Sequence, residues 1–173
     1  RTLEHLRHLV GFDTQNPPRE IGTGGIFDYL QAQLAGFRFT LTDHGAGAVS
    51  LLAVRGNPRI LFNVHLDTVP AAPGWTGDSL QLRITGDKAI GLGDCDIKGA
   101  AACILTALAH TTSPIALLFS SDEEAGSSRC IRDFLTKHKF PHVLVAEPTR
   151  CRAVLEHRGI GTATIDFTGT GGH

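Results

Sequence analysis

Short apolar runs alternate with helix-like segments through most of this sequence. The runs over residues 59–67, 115–124 and 142–148 contain continuous apolar stretches at 60–62, 115–119 and 143–146, as in strands buried on both faces. Four segments carry apolar residues at helical spacing, over residues 2–10, 26–36, 98–110 and 128–138. The alternation predicts an α/β fold in which a mostly parallel mixed sheet has helices on both faces. We also expect a hairpin around Gly86-Asp87 and one or two further strands over residues 153–169.

Charge and cysteine usage narrow the classes of protein to which the chain could belong. Its 173 residues are 42% hydrophobic, and 16 Lys and Arg face 17 Asp and Glu, so bulk charge suggests neither nucleic acid nor an anionic membrane as a partner. No apolar stretch approaches the roughly 18 residues of a membrane-spanning helix. The four cysteines form no CxxC pair, which favours reduced thiols in a cytoplasmic protein.

Possible metal ligands stand at the carboxyl ends of three predicted strands. They are His65, Glu123-Glu124 and Glu147, and a glycine-rich turn before a predicted helix adds Asp94 and Asp96. In open α/β sheets this edge is where ligands bind. Crowded carboxylates repel one another unless a cation lies between them, and one imidazole among several carboxylates suits zinc, manganese or cobalt. The alternative to a metal site is that His65 and Asp67 are simply the polar end of a strand, with Asp67 as a capping residue.

Five motifs, "HLDTVP", "GLGDCDIKGA", "FSSDEEAG", "LVAEPT" and "HRGIGTATIDFTGTGGH", occur in the order and spacing of one known family. The chain resembles the dinuclear zinc aminoacylase and carboxypeptidase family over nearly all its length. This resemblance implies a zinc aminopeptidase-like catalytic domain and two divalent metal ions, with zinc favoured and cobalt possible. It implies hydrolysis of a small N-acyl amino acid, with N-acetylornithine or N-acetylcitrulline of arginine biosynthesis as the expected substrate.

The resemblance also assigns roles to particular residues. Four are implied to be metal ligands: His65, Asp96, Glu124 and Glu147. Asp96 would bridge the two ions, and the Asp96–Ile97 peptide bond is expected to be cis. Asp67 would orient His65, and Glu123 would act as the general base. Which glutamate of the pair is the base follows from the family pattern alone.

The C-terminal motif predicts where a second domain begins. We expect residues 1–168 to form the catalytic domain and residues 169–173 to start a lid domain that mediates homodimerisation. His173, in that lid motif, would stabilise the oxyanion of the reaction. The chain begins at Arg1 and ends inside the motif, and the family's last metal ligand, a further histidine, has no match, so we expect a piece of a longer polypeptide.

Several alternatives remain open from the sequence. Within the family, the activity could be that of a succinyl-diaminopimelate desuccinylase or of a metallo-carboxypeptidase or dipeptidase. Outside it, the chain could be a non-catalytic binding module that retains the metal. Asp94 is expected to be a turn residue, Cys95 is not expected to be a nucleophile, and His5 and His8 are expected at the surface.

Overall fold

The computed structural model describes residues 1–18, 21–124, 128–156, 158–159, 161 and 163–170. Four α-helices are present: α1 Thr2–Val10, α2 Ile26–Gln33, α3 Gly99–Leu108 and α4 Arg129–Lys137. The strands are β1 Arg38–Asp43, β2 Val49–Arg55, β3 Ile60–His65, β4 Arg83–Thr85, β5 Lys88–Ile90, β6 Ile115–Ser120 and β7 His142–Val145. All four helices, the strands β3, β6 and β7, and the β4–β5 pair lie in segments whose pattern predicted their type.

Five strands form one sheet in the order β1-β2-β6-β3-β7. Strand β3 is parallel to both β6 and β7, whereas β2 is antiparallel to both β6 and β1. It follows that β1, β3, β6 and β7 run in one direction and β2 alone opposes them. The prediction of a mostly parallel mixed sheet is confirmed. Strands β4 and β5 form the separate predicted hairpin.

Alternate side chains of the sheet enter two apolar clusters on its opposite faces. In β6, Leu117 and Phe119 join the larger cluster, to which α1, α2 and α3 contribute their apolar faces. Leu118 points to the other face and packs with Leu61 and with Phe134 of α4. The prediction of helices on both faces is therefore confirmed. The longest described helix, α3, has 10 residues, and no helix in the described part of the chain could span a bilayer.

Two expectations from the sequence are wrong. His5 is only 6% exposed, because its Nδ1 lies 2.8 Å from the hydroxyl oxygen of Tyr29 on the next helix. The described residues between 153 and 169 form no strand, and Leu155 and Phe167 are almost fully exposed. A strand requires a hydrogen-bonded neighbour, and within the described ranges the backbone of β7 pairs only with β3.

Candidate metal centre

The parallel strands bring three acidic or imidazole segments to one edge of the sheet. His65 ends β3 directly beside Ser120, the last residue of β6, and Leu66 N–H donates to the Ser120 carbonyl at 2.7 Å. On the other side, Ala146 N–H donates to the Asn63 carbonyl at 3.0 Å, so β7 leaves the sheet at the same edge. The residues that follow β6 and β7, Glu123-Glu124 and Glu147, therefore emerge close to His65.

A tight turn, which we call the acidic turn (Asp94–Lys98), approaches the same edge just before α3. It is entered through Gly93, whose φ of 77° lies in the left-handed region, and Lys98 N–H donates to the Gly93 carbonyl at 2.9 Å. Asp94 accepts a hydrogen bond from Cys95 N–H at 2.7 Å, as expected for a turn residue. The predicted cis bond between Asp96 and Ile97 is present.

His65, Asp96 and Glu124 each place a possible ligand atom within 4.8 Å of the others. Nε2 of His65 lies 3.2 Å from Oδ1 of Asp96 and 3.9 Å from Oε1 of Glu147. His65 is almost completely buried, whereas the Asp96 and Glu147 side chains are about half exposed. The cluster thus has one buried imidazole at its base and carboxylates around its open side.

Asp67 lies behind this cluster and has no exposed surface. Its Oδ2 accepts hydrogen bonds from Asn16 Nδ2 at 2.8 Å and from Glu124 N–H at 2.9 Å. Its Oδ1 accepts from Glu123 N–H at 3.2 Å and lies 3.5 Å from His65 Nδ1. The same His65 nitrogen lies 3.0 Å from the Asp67 carbonyl oxygen. A single buried residue, through its carboxylate and its carbonyl, therefore holds the histidine and the backbone of both glutamates.

Burial is outweighed by hydrogen bonds and neighbouring charges, which shift the pKa values of His65 and Asp67 in the direction of an ion pair. Burial lowers the pKa of His65, but contacts with Asp67 and the charge of Glu147 outweigh it and raise the pKa to about 9. Burial raises the pKa of Asp67, yet hydrogen bonds from His65, Asn16 and the two backbone N–H groups hold it below the ordinary value. Asp67 is therefore ionised at neutral pH.

The carboxylates on the open side repel one another. Burial is the main cause that raises the pKa of Glu124, and the charges of Glu123, Asp96 and Asp67 add to it. The pKa of Glu147 is raised by burial and by the charges of Asp96 and Glu123. A divalent cation between these groups would remove the repulsion, and a mixed nitrogen and oxygen donor set is one that zinc and cobalt accept. The residues present fit such an ion.

The other predicted site residues are placed as follows. Glu123 is exposed at the mouth of the cluster, and only its backbone N–H contacts Asp67. Glu147 lies beside His65 but outside the tight group of three. His173 lies outside the described residues. The roles assigned to all these side chains stay predictions.

Two buried polar residues close to the site in the chain or in space, Asn16 and Lys98, were not predicted to be buried from the sequence. Asn16, which stands before two prolines, is 1% exposed, and its Nδ2 donates to Asp67 Oδ2. Lys98 is fully buried, and its Nζ donates to the Phe12 carbonyl at 2.9 Å. Burial lowers the Lys98 pKa to about 8, against the opposing charge of Asp13. No local pattern distinguishes either residue, since each partner lies far away in sequence.

Sequence comparison identifies relatives across the whole chain. Residues 61–169 match peptidase family M20/M25/M40. An N-acetyl-L-citrulline deacetylase of Xanthomonas campestris pv. campestris is 58% identical over 99% of this chain and 48% of its own length. A succinyl-diaminopimelate desuccinylase of Sphingopyxis alaskensis is 32% identical over 99% of this chain and 50% of its own length. The chain thus spans about half the length of these curated relatives.

The fold is also similar to solved structures. An M20 family metallo-carboxypeptidase from Sulfolobus solfataricus superposes with a TM-score of 0.70 over 84% of this chain and 37% of that structure, at 21% identity. At this identity the likeness supports the fold alone, and it agrees with the layered sheet described above.

Proposed function

Because this chain belongs to peptidase family M20/M25/M40, we propose that it carries metal-binding residues of an enzyme that deacylates N-acyl amino acids. The substrate that we propose is N-acetylcitrulline or N-acetylornithine. The observation that carries the proposal is the convergence of His65, Asp96 and Glu124 at the carboxyl edge of the sheet, with Glu123 at its mouth. The 58% identity to a protein named as an N-acetyl-L-citrulline deacetylase supports the choice of acyl group.

His65, Asp96, Glu124 and Glu147 are the residues that would hold divalent metal ions. A bound divalent ion polarises an amide carbonyl and lowers the pKa of a bound water toward neutrality. On the side away from the cluster, His65 Nδ1 lies 3.0 Å from the Asp67 carbonyl oxygen and 3.5 Å from Asp67 Oδ1, and these two contacts fix the orientation of the ring so that Nε2 faces the carboxylates. The buried histidine and aspartate thus form a rigid support beneath the more exposed carboxylate ligands.

Glu123 is proposed as the general base. Its side chain is exposed beside the cluster, and its backbone is held by Asp67, so the carboxylate can face a water molecule without serving as a ligand. Glu123 takes a proton from the water that attacks the amide carbon and delivers it to the departing amine, as the C–N bond breaks. The products are the free carboxylic acid and the amino acid. His173 is proposed to stabilise the oxyanion of this step.

An activity assay on the natural polypeptide that contains this chain tests the substrate proposal. The polypeptide would be loaded with zinc or cobalt and given N-acetylcitrulline, N-acetylornithine, N-succinyl-diaminopimelate and a dipeptide, and the free amine would be measured. We expect amine release from an acetylated substrate. Release from the succinylated substrate alone would favour the desuccinylase activity named for the relative at 32% identity. No release from any N-acyl amino acid or dipeptide would favour the binding module.

Two substitutions in adjacent residues test the division of roles. Glu123→Gln should lower turnover by about 10²–10⁴, the usual contribution of a general acid–base group, and leave metal content unchanged. Glu124→Gln removes a ligand charge and should lower metal content. Metal analysis after dialysis would accompany the rates. The reverse pattern would show that the roles of the two glutamates are exchanged.

The family resemblance also supports proposals on metal content, cellular role and oligomeric state. We infer two metal ions per catalytic domain, zinc before cobalt, a cytoplasmic role in arginine biosynthesis, and a homodimer formed through a lid domain that begins at residue 169. Metal analysis and the solution mass of the natural polypeptide test the first and last of these. A monomer would contradict the dimer.

A further inference from the structure

The segment that follows α1 is hydrogen-bonded to the residues that directly follow β3. The Thr14 hydroxyl donates to the Leu66 carbonyl at 2.7 Å, and Thr68 N–H donates to the Thr14 carbonyl at 2.9 Å. Asn16 N–H then donates to the Thr68 carbonyl at 2.8 Å. These backbone bonds place the Asn16 side chain opposite Asp67. The segment over residues 12–16 is thus ordered by the strand end that carries the site.

Asn16 supplies a side-chain hydrogen-bond donor to the Asp67 carboxylate. Both side chains are buried, and Asn16 Nδ2 lies 2.8 Å from Asp67 Oδ2. The carboxylate receives donors on both oxygens, and Glu124 N–H shares Oδ2 with Asn16. A buried carboxylate needs such donors, because an ionised group taken out of water without partners is strongly destabilised.

We propose that Asn16 is a positioning residue, which acts through the Asp67 carboxylate to fix His65 and Glu124 in the arrangement that binds metal. The proposal rests on the metal-dependent function proposed above. With Asn16 on Oδ2, the carboxylate keeps the rotation in which Oδ1 faces both His65 Nδ1 and Glu123 N–H. Without that donor, the carboxylate keeps the Glu123 and Glu124 N–H groups but loses its side-chain donor on Oδ2, so its rotation, and with it the positions of His65 and Glu124, is fixed less firmly.

The expected effect is on metal affinity before it is on the chemistry. Groups that orient metal ligands typically contribute 10- to 100-fold in affinity. We therefore expect Asn16→Ser to weaken zinc and cobalt binding by about 10- to 100-fold. Asn16→Asp keeps the shape but places a second carboxylate against Asp67, so its loss of affinity should be larger.

Thr14→Val provides the matched control. Thr14 is also buried, lies in the same segment and loses one buried hydrogen bond to the same strand end, but its side chain contacts the Leu66 carbonyl and not Asp67. Zinc affinity would be measured by competition with a chromophoric chelator, and the cobalt-bound form by its visible absorption, which reports ligand geometry. Circular dichroism would show that each variant is folded.

The outcomes separate the two proposals. We expect wild type and Thr14→Val to bind metal alike, and Asn16→Ser to bind weakly with an altered cobalt spectrum. If Asn16→Ser and Thr14→Val bind with equal affinity and give the same spectrum, the positioning role is refuted while the metal site stands. If wild type itself binds no metal, the proposed function and this inference both fail. Should Asn16→Asp fail to fold, Asn16→Ser alone decides.

In a double-mutant cycle, Asn16→Ser should add little to the loss caused by Asp67→Asn, because both act on one group. Additive losses in metal affinity would show that Asn16 acts by another route and would overturn the proposal.

Discussion

Asp67→Asn tests whether one buried carboxylate organises the site, because it changes charge and hydrogen bonding with almost no change in volume. In the better of two orientations, the new amide oxygen takes the place of Oδ2 and still accepts from Asn16 and Glu124. The new amino group then faces the Glu123 N–H, which was bonded to Oδ1 at 3.2 Å. Two donors meet there, and the partly buried Glu123 N–H loses its acceptor.

The cost can be estimated from these contacts. An unpaired buried N–H costs about 1–3 kcal/mol, and two bonds that change from a charged to a neutral acceptor each lose about 0.5–1.5 kcal/mol. Removing a buried charge offsets part of this loss. We expect the free energy of unfolding to fall by about 2–4 kcal/mol.

Urea unfolding with excess chelator measures this quantity without a contribution from bound metal. Asp78→Asn is the control, since Asp78 is exposed and accepts one local bond from Leu80 N–H at 2.9 Å. That substitution should change stability by less than about 0.5 kcal/mol. Equal midpoints and slopes for wild type and Asp67→Asn would refute the account of the Asp67 network.

Three further predictions follow from other parts of the molecule. Burial raises the pKa of the Cys130 thiol to about 12, so a thiol reagent at pH 8 should modify it only on unfolding, and modify the other cysteines at once. Gly93→Ala should destabilise the fold by more than the roughly 1–2 kcal/mol of a left-handed residue, because its Cβ would lie 2.5 Å from Thr68 Cγ2. Gly86→Ala, with a similar φ and open space around it, should show only the conformational cost in the same thermal unfolding assay. Chelation should abolish amide hydrolysis and added zinc or cobalt should restore it, while far-ultraviolet circular dichroism stays constant; hydrolysis that survives complete metal removal would contradict a metal-dependent reaction.

Local sequence patterns were sufficient to predict most helices and strands of the fold, because the spacing of apolar residues in a segment depends on which of its faces is buried. They failed where a distant partner decides the outcome. His5 has the spacing of a helix surface residue, yet Tyr29 from α2 covers it. The chain from 153 to 169 has apolar residues typical of strands, but a strand forms only beside another with free hydrogen-bonding groups.

The same limit explains what could be predicted of the site. His65, Asp96 and Glu124 stand beside strand ends or a glycine-rich turn, so their convergence followed from parallel topology. Asn16 and Lys98 could not be found that way, since neither belongs to an acidic cluster or a motif with metal-ligand spacing. Their hydrogen-bond partners, Asp67 and the Phe12 carbonyl, lie far away in sequence and reach them only in the folded structure.

The long separation between the groups that meet at Asp67 has a consequence for how the protein folds. Asn16 and Asp67 are 51 positions apart in sequence, and Asp67 and Glu123 are 56 positions apart. Each contact therefore closes a long loop, whose entropy cost must be met before the contact contributes any stability. Helices and the β4–β5 hairpin can form early from local contacts, whereas this junction forms only when β3 and β6 have paired. An unfolded or half-folded chain therefore holds no ready-made set of ligands. Any ion that binds here selects the finished native state and shifts the folding equilibrium toward it in proportion to its concentration.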